Sequence, residues 1–284
     1  MTIKIDRLTR LAELAACVDV QRAILGDRSR SVWSVPALTA VCQSGGLVLG
    51  ARDAEGDALC GAIVDLVADV DGYPGRHTVF RGVLEPVRNR GAGFGLRAAE
   101  RAACRREGVD LIFWSLDPLR SDEAYLAFGK LGAIATDYRR NLYGEVHDDA
   151  NLGLETDRMR VEWWLDSPRV RSILDRGNQA PHLRLGIHEM DVVTETRLQQ
   201  SGFRTLTGHD EAPRADHVLA EIPVDLDRIR HADAAAARQW RLRSRAVFEL
   251  LFEKGYVGAG FVHEGGRSFH LFRKADRSSV LRDT

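Results

Sequence analysis

The stretch from Val79 to Leu96, V-F-R-G-V-L-E-P-V-R-N-R-G-A-G-F-G-L, constrains this chain more than any other. An apolar run of strand character turns through a basic, glycine-spaced segment and enters a helix. At such an entry the first backbone N–H groups have no intrahelical acceptor and the helix dipole is positive, so the turn suits an anion, a phosphate above all. Two familiar spacings do not fit. A Walker loop needs Gly, four residues, then Gly-Lys-Ser/Thr, whereas Leu96-Arg97-Ala98 follows the glycines here. A dinucleotide fingerprint needs G-x-G-x-x-G on a first strand–helix unit; Gly91-Ala92-Gly93-Phe94-Gly95 has another spacing and lies in mid-chain.

With 284 residues the chain is long enough for one large domain or two small ones. A hydrophobic fraction of 44% and a charged fraction of 29% are those of a soluble globular protein. The net charge of -1 leaves no global field to recruit nucleic acid, and the arginines are instead dense between Arg81 and Arg106. Cys17, Cys42, Cys60 and Cys104 are far apart, with neither zinc spacing nor a disulfide framework, and read as buried, reduced thiols. His182, His188 and His217 have no ligand spacing, so no metal is expected. The N-terminus M-T-I-K-I-D-R-L is charged where a signal peptide is apolar, and no apolar run approaches a membrane span. A cytoplasmic protein without nucleic-acid or membrane partners is expected.

Pattern and punctuation predict a strand at Ile3–Ile5 and a helix over Leu8–Leu25, with a second helix after Pro36 ended by Gly45-Gly46. Strands at Leu47–Ala51 and Leu59–Val67 form a hairpin, and His77–Leu84 is the strand leading into the turn. A helix from Gly93 to about Glu107, a strand at Asp110–Leu116, a helix from about Ser121 to Leu131 closing on Gly132, and strands at Ala133–Tyr138 and Arg158–Leu165 follow. Asp166–His182 and Thr207–His217 read as linkers or crossovers. Beyond them lie strands at Leu183–Ile187, Val218–Ile222, Tyr256–Val262 and Ser268–Phe272, and a long helix over Ala234–Lys254. The fold class is α/β (α+β), a mixed central sheet flanked by helices. Residues 1–165 form one domain and 166–284 a C-terminal α/β extension, whose helix and final strands echo the second half of the first domain.

A third phosphate pattern, Arg/Gln-x-x-Gly-x-Gly/Ala, belongs to turns that hold the pyrophosphate of coenzyme A. Arg88-Asn89-Arg90-Gly91-Ala92-Gly93 matches it position for position, the plain alternative being an ordinary glycine-rich turn. With this motif in this setting the sequence resembles the GNAT superfamily of N-acetyltransferases, whose order of elements is the one read above. Further along, L-I-F-W-S-L-D-P-L, F-G-K-L-G-A, N-L-Y-G (Asn141–Gly144), N-x-G-x-x-T-D-R (Asn151–Arg158), V-E-W-W (Val161–Trp164), A-E-I-P (Ala220–Pro223), Trp240-Arg241 and Gly255-Tyr256 resemble a bacterial subfamily of predicted acetyltransferases. The resemblance spans nearly the whole chain. It implies an acyl-CoA co-substrate (acetyl-CoA or succinyl-CoA), direct transfer to a small amine acceptor such as an amino acid, and, by analogy, a homodimer through the extension. Three departures stand out: Glu85-Pro86 replaces Pro-Glu, Glu123-Ala124 replaces Asn-Ala, and Phe128 stands where many members have the tyrosine that protonates the leaving thiolate.

The resemblance also assigns roles. Backbone amides of Asn89, Arg90, Gly91, Ala92, Gly93 and Phe94, with Gly95 closing the turn, bind the pyrophosphate, helped by the Arg88 and Arg90 side chains. The pantetheine runs beside Val83-Leu84, where an N–H near Leu84 is the expected oxyanion donor, and Phe128 lines the coenzyme arm. Asp117, at the end of its strand, is a candidate for catalysis or acceptor binding whose plain role is to cap the following helix. Glu85 is the rival base, and Tyr143 and Tyr138 are rival acids that suit core or rim packing better. Asp157-Arg158 suits either an acceptor carboxylate or a structural ion pair. His77 suits a satisfied, half-buried position. Arg97, Arg101 and Arg105 suit a solvated helix face better than a 3′-phosphate site.

Overall fold

The computed structural model describes residues 3–27, 29–53, 58–70, 72–88, 90–146, 148, 151–176 and 190–283. The chain forms two compact units, Met1–Trp114 with Val146–Leu152, and Ser115–Glu145 with Gly153–Thr284.

In the first unit, β1 (Ile3–Arg7), α1 (Leu11–Leu25) and α2 (Val35–Gln43) precede β2 (Leu47–Asp53), β3 (Leu59–Val70) and β4 (Tyr73–Val83), followed by α3 (Ala92–Arg106) and β5 (Leu111–Leu116). The strands lie in the order β1-β2-β3-β4-β5. The first four pair antiparallel, and β4 pairs parallel with β5. Successive side chains of a strand point to opposite faces, and here both faces are covered. Val48, Ala62, Val64 and Phe80 pack with Leu14, Val18, Leu38 and Val41 of α1 and α2. Leu47, Leu49, Ala51 and Ile63 pack with Leu96 and Ala103 of α3. Ser34 caps α2 by accepting the Ala37 N–H, with Pro36 in the first turn. The strand leading to the turn starts at Tyr73, earlier than the apolar pattern indicated, because Tyr73-Pro74-Gly75 has turn composition but remains laddered to Val70, Asp69 and Ala68.

In the second unit, α4 (Ser121–Ala124) runs on as a π-helical turn over Tyr125–Lys130, then β6 (Ile134–Arg139), β7 (Arg158–Trp164) and α5 (Pro168–Asp175). After these come β8 (Asp191–Val192), β9 (Thr194–Leu198), β10 (Arg204–His209), β11 (His217–Ile222), α6 (Leu226–Ala232), α7 (Ala234–Glu253), β12 (Tyr256–Glu264), β13 (Arg267–Lys274) and α8 (Arg277–Leu281). The sheet order is β7-β6-β12-β13-β11-β8, with β9–β10 a separate hairpin. The order helix, strand, strand thus occurs twice, and the two hairpins meet where Gly258 of β12 stands opposite Ala135 of β6.

The linker reading of Asp166–His182 fails over α5. Ser167 caps that helix by accepting the Val170 N–H, and Pro168 opens it rather than breaking it. Part of the second linker, Thr207–His209, belongs to β10 and pairs with β9. The strand expected at Leu183–Ile187 lies outside the described residues, as do His182 and His188. The cysteines are free, three buried and Cys42 partly so. Among the described residues no helix is long and apolar enough to cross a membrane.

Candidate functional site

Two constellations carry chemistry, one in each unit. In the first, β4 breaks away from its neighbour on one side. Its parallel ladder with β5 spans only Gly75, Arg76 and His77, the last of which stacks on Phe113 at 4.5 Å. Just beyond, β4 holds one extra residue against β3 between Thr78 and Phe80, a bulge of the kind that re-aims a strand. The β3 side stays laddered to the end, with the Leu84 N–H donating to the Cys60 carbonyl at 2.8 Å. That bond overturns the expectation of an oxyanion donor at Leu84, because the amide is already used within the sheet. Strand alternation turns the Val83 N–H to the opposite edge, where β4 has no ladder partner among the described residues.

After Val83 a 3-10 turn over Glu85–Val87 buries Val87 and leaves Glu85 exposed. Arg88 is exposed, and its Nε donates to the Val83 carbonyl at 3.4 Å. Asn89 lies outside the described residues. Gly91, at φ 87°, is in the left-handed region, and nothing lies within 4 Å of a Cβ built on it. It leads into α3 with no side-chain cap and no acidic residue in the first turn. The N–H groups of Ala92, Gly93 and Phe94 therefore open the helix without intrahelical acceptors, beside the exposed Arg90 and Phe94. Gly95 serves packing instead: a Cβ there would meet Ile5 at 3.1 Å.

Beneath this turn Arg97 is buried, against the solvated-face expectation. Its Nη1 donates to Thr78 at 2.8 Å and to both oxygens of Glu100 at 3.0 and 2.8 Å. The Trp114 ring lies 3.9 Å from its guanidinium carbon. Asp65 is buried in the same group; burial first, then the Glu100 charge, push its carboxyl well above the usual range. Helix spacing alone could not distinguish Arg97 from Arg101 and Arg105.

In the second unit Asp117 follows the end of β5. Its Oδ1 accepts the Leu119 N–H at 2.9 Å, and its Oδ2 accepts Arg241 Nη2 at 2.6 Å, with Arg158 Nη1 at 3.7 Å. Burial alone would raise its pKa, but the Arg241 and Arg158 charges outweigh that and hold the carboxyl well below the usual range. A carboxylate so stabilised is a weak base. Asp117 is thus held in an ion pair with Arg241, which counts against the expectation of a proton acceptor.

Asp157 is more completely engaged. Arg245 reaches both of its oxygens at 2.9 Å, Tyr138 donates at 2.6 Å and the Asn141 N–H at 2.9 Å. Burial and that bond to Asp157 push the Tyr138 phenol up, so it stays protonated as a strut. Arg245 also pairs with Glu155. Asn141 takes a positive φ of 42°, and its Oδ1 accepts both the N–H and the hydroxyl of Thr156 at 3.1 Å. The turn so fastened presents Tyr143, 53% exposed, with the Arg158 guanidinium 5.6 Å from its ring centroid.

Phe128, expected against the coenzyme, is 2% exposed on the π-helical turn and meets His270 edge-on at 5.5 Å. His270 Nε2 donates to the Pro118 carbonyl at 2.7 Å, and burial drives its pKa down to about 4. Phe128 is thus core, and the correction has a simple cause: an aromatic at helical spacing suits either a core or a cofactor wall. Sequence reasoning missed Arg241 and Arg245 as partners of Asp117 and Asp157. The available signal was their spacing of four on one helix beside the Trp240-Arg241 pair.

No protein-family model and no curated protein matches the chain. Solved structures similar to it include a ribosomal-protein alanine N-acetyltransferase from Escherichia coli, 15% identical over 57% of this chain and 92% of that one, TM-score 0.44. An IAA acetyltransferase from Bacillus cereus is 14% identical over 57% and 98%, TM-score 0.41. A GNAT-family acetyltransferase from Staphylococcus aureus is 14% identical over 58% and 99%, TM-score 0.42. At this level of likeness the chain's own residues must carry the functional reading.

Proposed function

We propose that the chain is an acyl-CoA-dependent N-acyltransferase of the GNAT superfamily, with its acyl-CoA-binding domain in residues 1–165, acting in the cytoplasm on a small amine such as an amino acid. The observation that carries this reading is the uncapped, glycine-entered N-terminus of α3, which follows a short turn after a strand whose outer edge at Val83 has no ladder partner among the described residues. That cradle fits a pyrophosphate: backbone N–H groups stand where an anion is stabilised, no side chain fills the space at Gly91, and Arg88 and Arg90 flank it.

Acyl-CoA, with acetyl or succinyl as the group transferred, would supply an activated thioester carbonyl. Arg88 leaves the Val83 carbonyl to pair with phosphate, freeing the outer edge of β4 for amide hydrogen bonds. The Val83 N–H then polarises the carbonyl under attack, in a place where a fixed donor costs no reorganisation. The amine nitrogen forms the new C–N bond as the C–S bond breaks. Glu85 is the proposed base for the amine proton, and the leaving thiolate is released without a dedicated acid, taking its proton from solvent. A second reading, a non-catalytic acyl-CoA-binding protein, is favoured by the pairing of ionised Asp117 with Arg241 and by the burial of Phe128.

Titration calorimetry with acetyl-CoA and succinyl-CoA tests the first step; a folded chain that binds neither at millimolar ligand has no such site. Thiol release with an amine panel separates the two readings, since any amine-dependent release removes the non-catalytic one.

A further inference from the structure

Arg97 stands in a fork of the sheet. The ladder between β4 and β5 ends at His77 and Phe113, so Thr78 and Trp114 are the first opposed residues that it leaves unpaired. Alternation along each strand puts these two side chains on the face opposite the His77–Phe113 stack, where α3 lies. The Arg97 guanidinium bridges them. Its Nη1 donates to Thr78 Oγ1 at 2.8 Å, and its central carbon is 3.9 Å from the Trp114 ring centroid. Glu100 closes the group from the same helix, accepting Arg97 Nη1 at both oxygens and the Thr78 hydroxyl at 2.8 Å. Arg97, Glu100 and Thr78 are all buried.

This is also the point at which β4 changes course. Val79, next in sequence, is the extra residue that β4 holds against β3, and such a bulge bends its strand. Stability alone does not explain a buried ion pair here, because apolar side chains of similar volume are often as stable or more so. The pair supplies direction instead: charged hydrogen bonds fix one hydroxyl of the strand against one face of the helix. Arg97 lies in the second turn of α3, just below the N–H groups of Ala92, Gly93 and Phe94. Thr78 lies on the strand that runs on to Val83. One buried group therefore ties the anion turn to the strand with the open edge.

We propose that Arg97, with Thr78 and Glu100, is a wedge that holds β4 off β5 and sets the distance from the open edge of β4 to the anion turn of α3. This rests on the acyltransferase reading. The three are positioning residues: the coenzyme reaches the strand edge with its amide arm and the turn with its pyrophosphate together only while that distance is kept.

The test is titration calorimetry of CoA into the full chain and its variants, each shown to be folded at the measuring temperature by circular dichroism. Thr78→Val keeps the side-chain volume and suits a strand but lacks the hydroxyl, and it is expected to weaken CoA binding about tenfold. Thr78→Ser returns the hydroxyl and should restore binding. Glu100→Gln removes the charge that orients Arg97, should weaken CoA as Thr78→Val does, and carries the test if Thr78→Val fails to fold. Val41→Ala thins the core on the other face of the sheet, and should lower the thermal midpoint without changing CoA affinity. A folded Thr78→Val chain that binds CoA like wild type overturns the proposal. An equal loss of affinity in Val41→Ala also overturns it, because the effect is then one of stability alone. A folded wild-type chain that binds no CoA is a separate result: the acyltransferase reading falls, and the wedge has no coenzyme to position.

Discussion

Asp117 and His270 illustrate how one burial environment sets opposite proton states. Asp117 is ionised because Arg241 and Arg158 stand against it, and replacing it with Asn takes from buried Arg241 the one side-chain partner that its guanidinium has among the described residues. Asp117→Asn is expected to cost about 3–5 kcal/mol in urea unfolding at pH 7. It should leave no missing limb in a pH–rate profile, because Asp117 does not titrate in the working range. His270 is neutral, its pKa falling from 6.5 to about 4 on burial among aromatic rings. On acidification the unfolded chain takes up this proton first, so stability is full above 6.5 and lost as pH falls toward 4. The loss amounts to about 3 kcal/mol. Unfolding curves of wild type and His270→Asn between pH 7 and 4 should converge; parallel curves would remove the assignment. At the phosphate turn Gly91 requires its left-handed backbone, so Gly91→Ala should destabilise by about 1 kcal/mol and weaken coenzyme binding.

At the scale of elements, α3 is held to its sheet by a buried ionic group that includes an excess carboxyl. Asp65 and Glu100 share one cation, Arg97. Asp65 keeps its proton when folded, and above its ordinary pKa the unfolded chain releases that proton while the folded chain retains it. Stability therefore falls as pH rises from about 4 toward the raised value, opposite in direction to His270. Asp65→Asn should remove this slope and leave the protein more stable than wild type at pH 8; a less stable variant in chemical denaturation would show that Asp65 is needed ionised. The strand order around the turn was legible because β2 and β3 are continuous apolar runs and the glycines mark the turns. The open edge of β4 was not legible, since it depends on a bulge beside Val79 that no residue type announces. Helix α5 was misread because Pro168 is a breaker within a helix and a favoured residue in its first turn, and only the Ser167 cap distinguishes the two.

At the scale of the molecule, the second unit depends on the approach of two hairpins at Gly258 and Ala135. A Cβ on Gly258 would stand 2.9 Å from the Ala135 Cβ. Gly258→Val is therefore expected to cost about 1–3 kcal/mol by overpacking, read as a lower thermal midpoint with circular dichroism unchanged in the cold. The sequence alone determined what is local. The apolar periods specified most helices and strands, and the spacing from Arg88 to Gly93 identified an anion turn at the start of a helix, because backbone geometry and dipole follow from neighbouring residues. Tertiary structure decided everything that depends on which distant groups meet. Arg241 lies far along the chain from Asp117, and only the packing of α7 brings its guanidinium to that carboxylate and leaves two of its nitrogens unfilled. Cys60 likewise takes the Leu84 amide through sheet register. A proton's position and a donor's availability are properties of an environment, and the environment of a buried group is supplied by the fold.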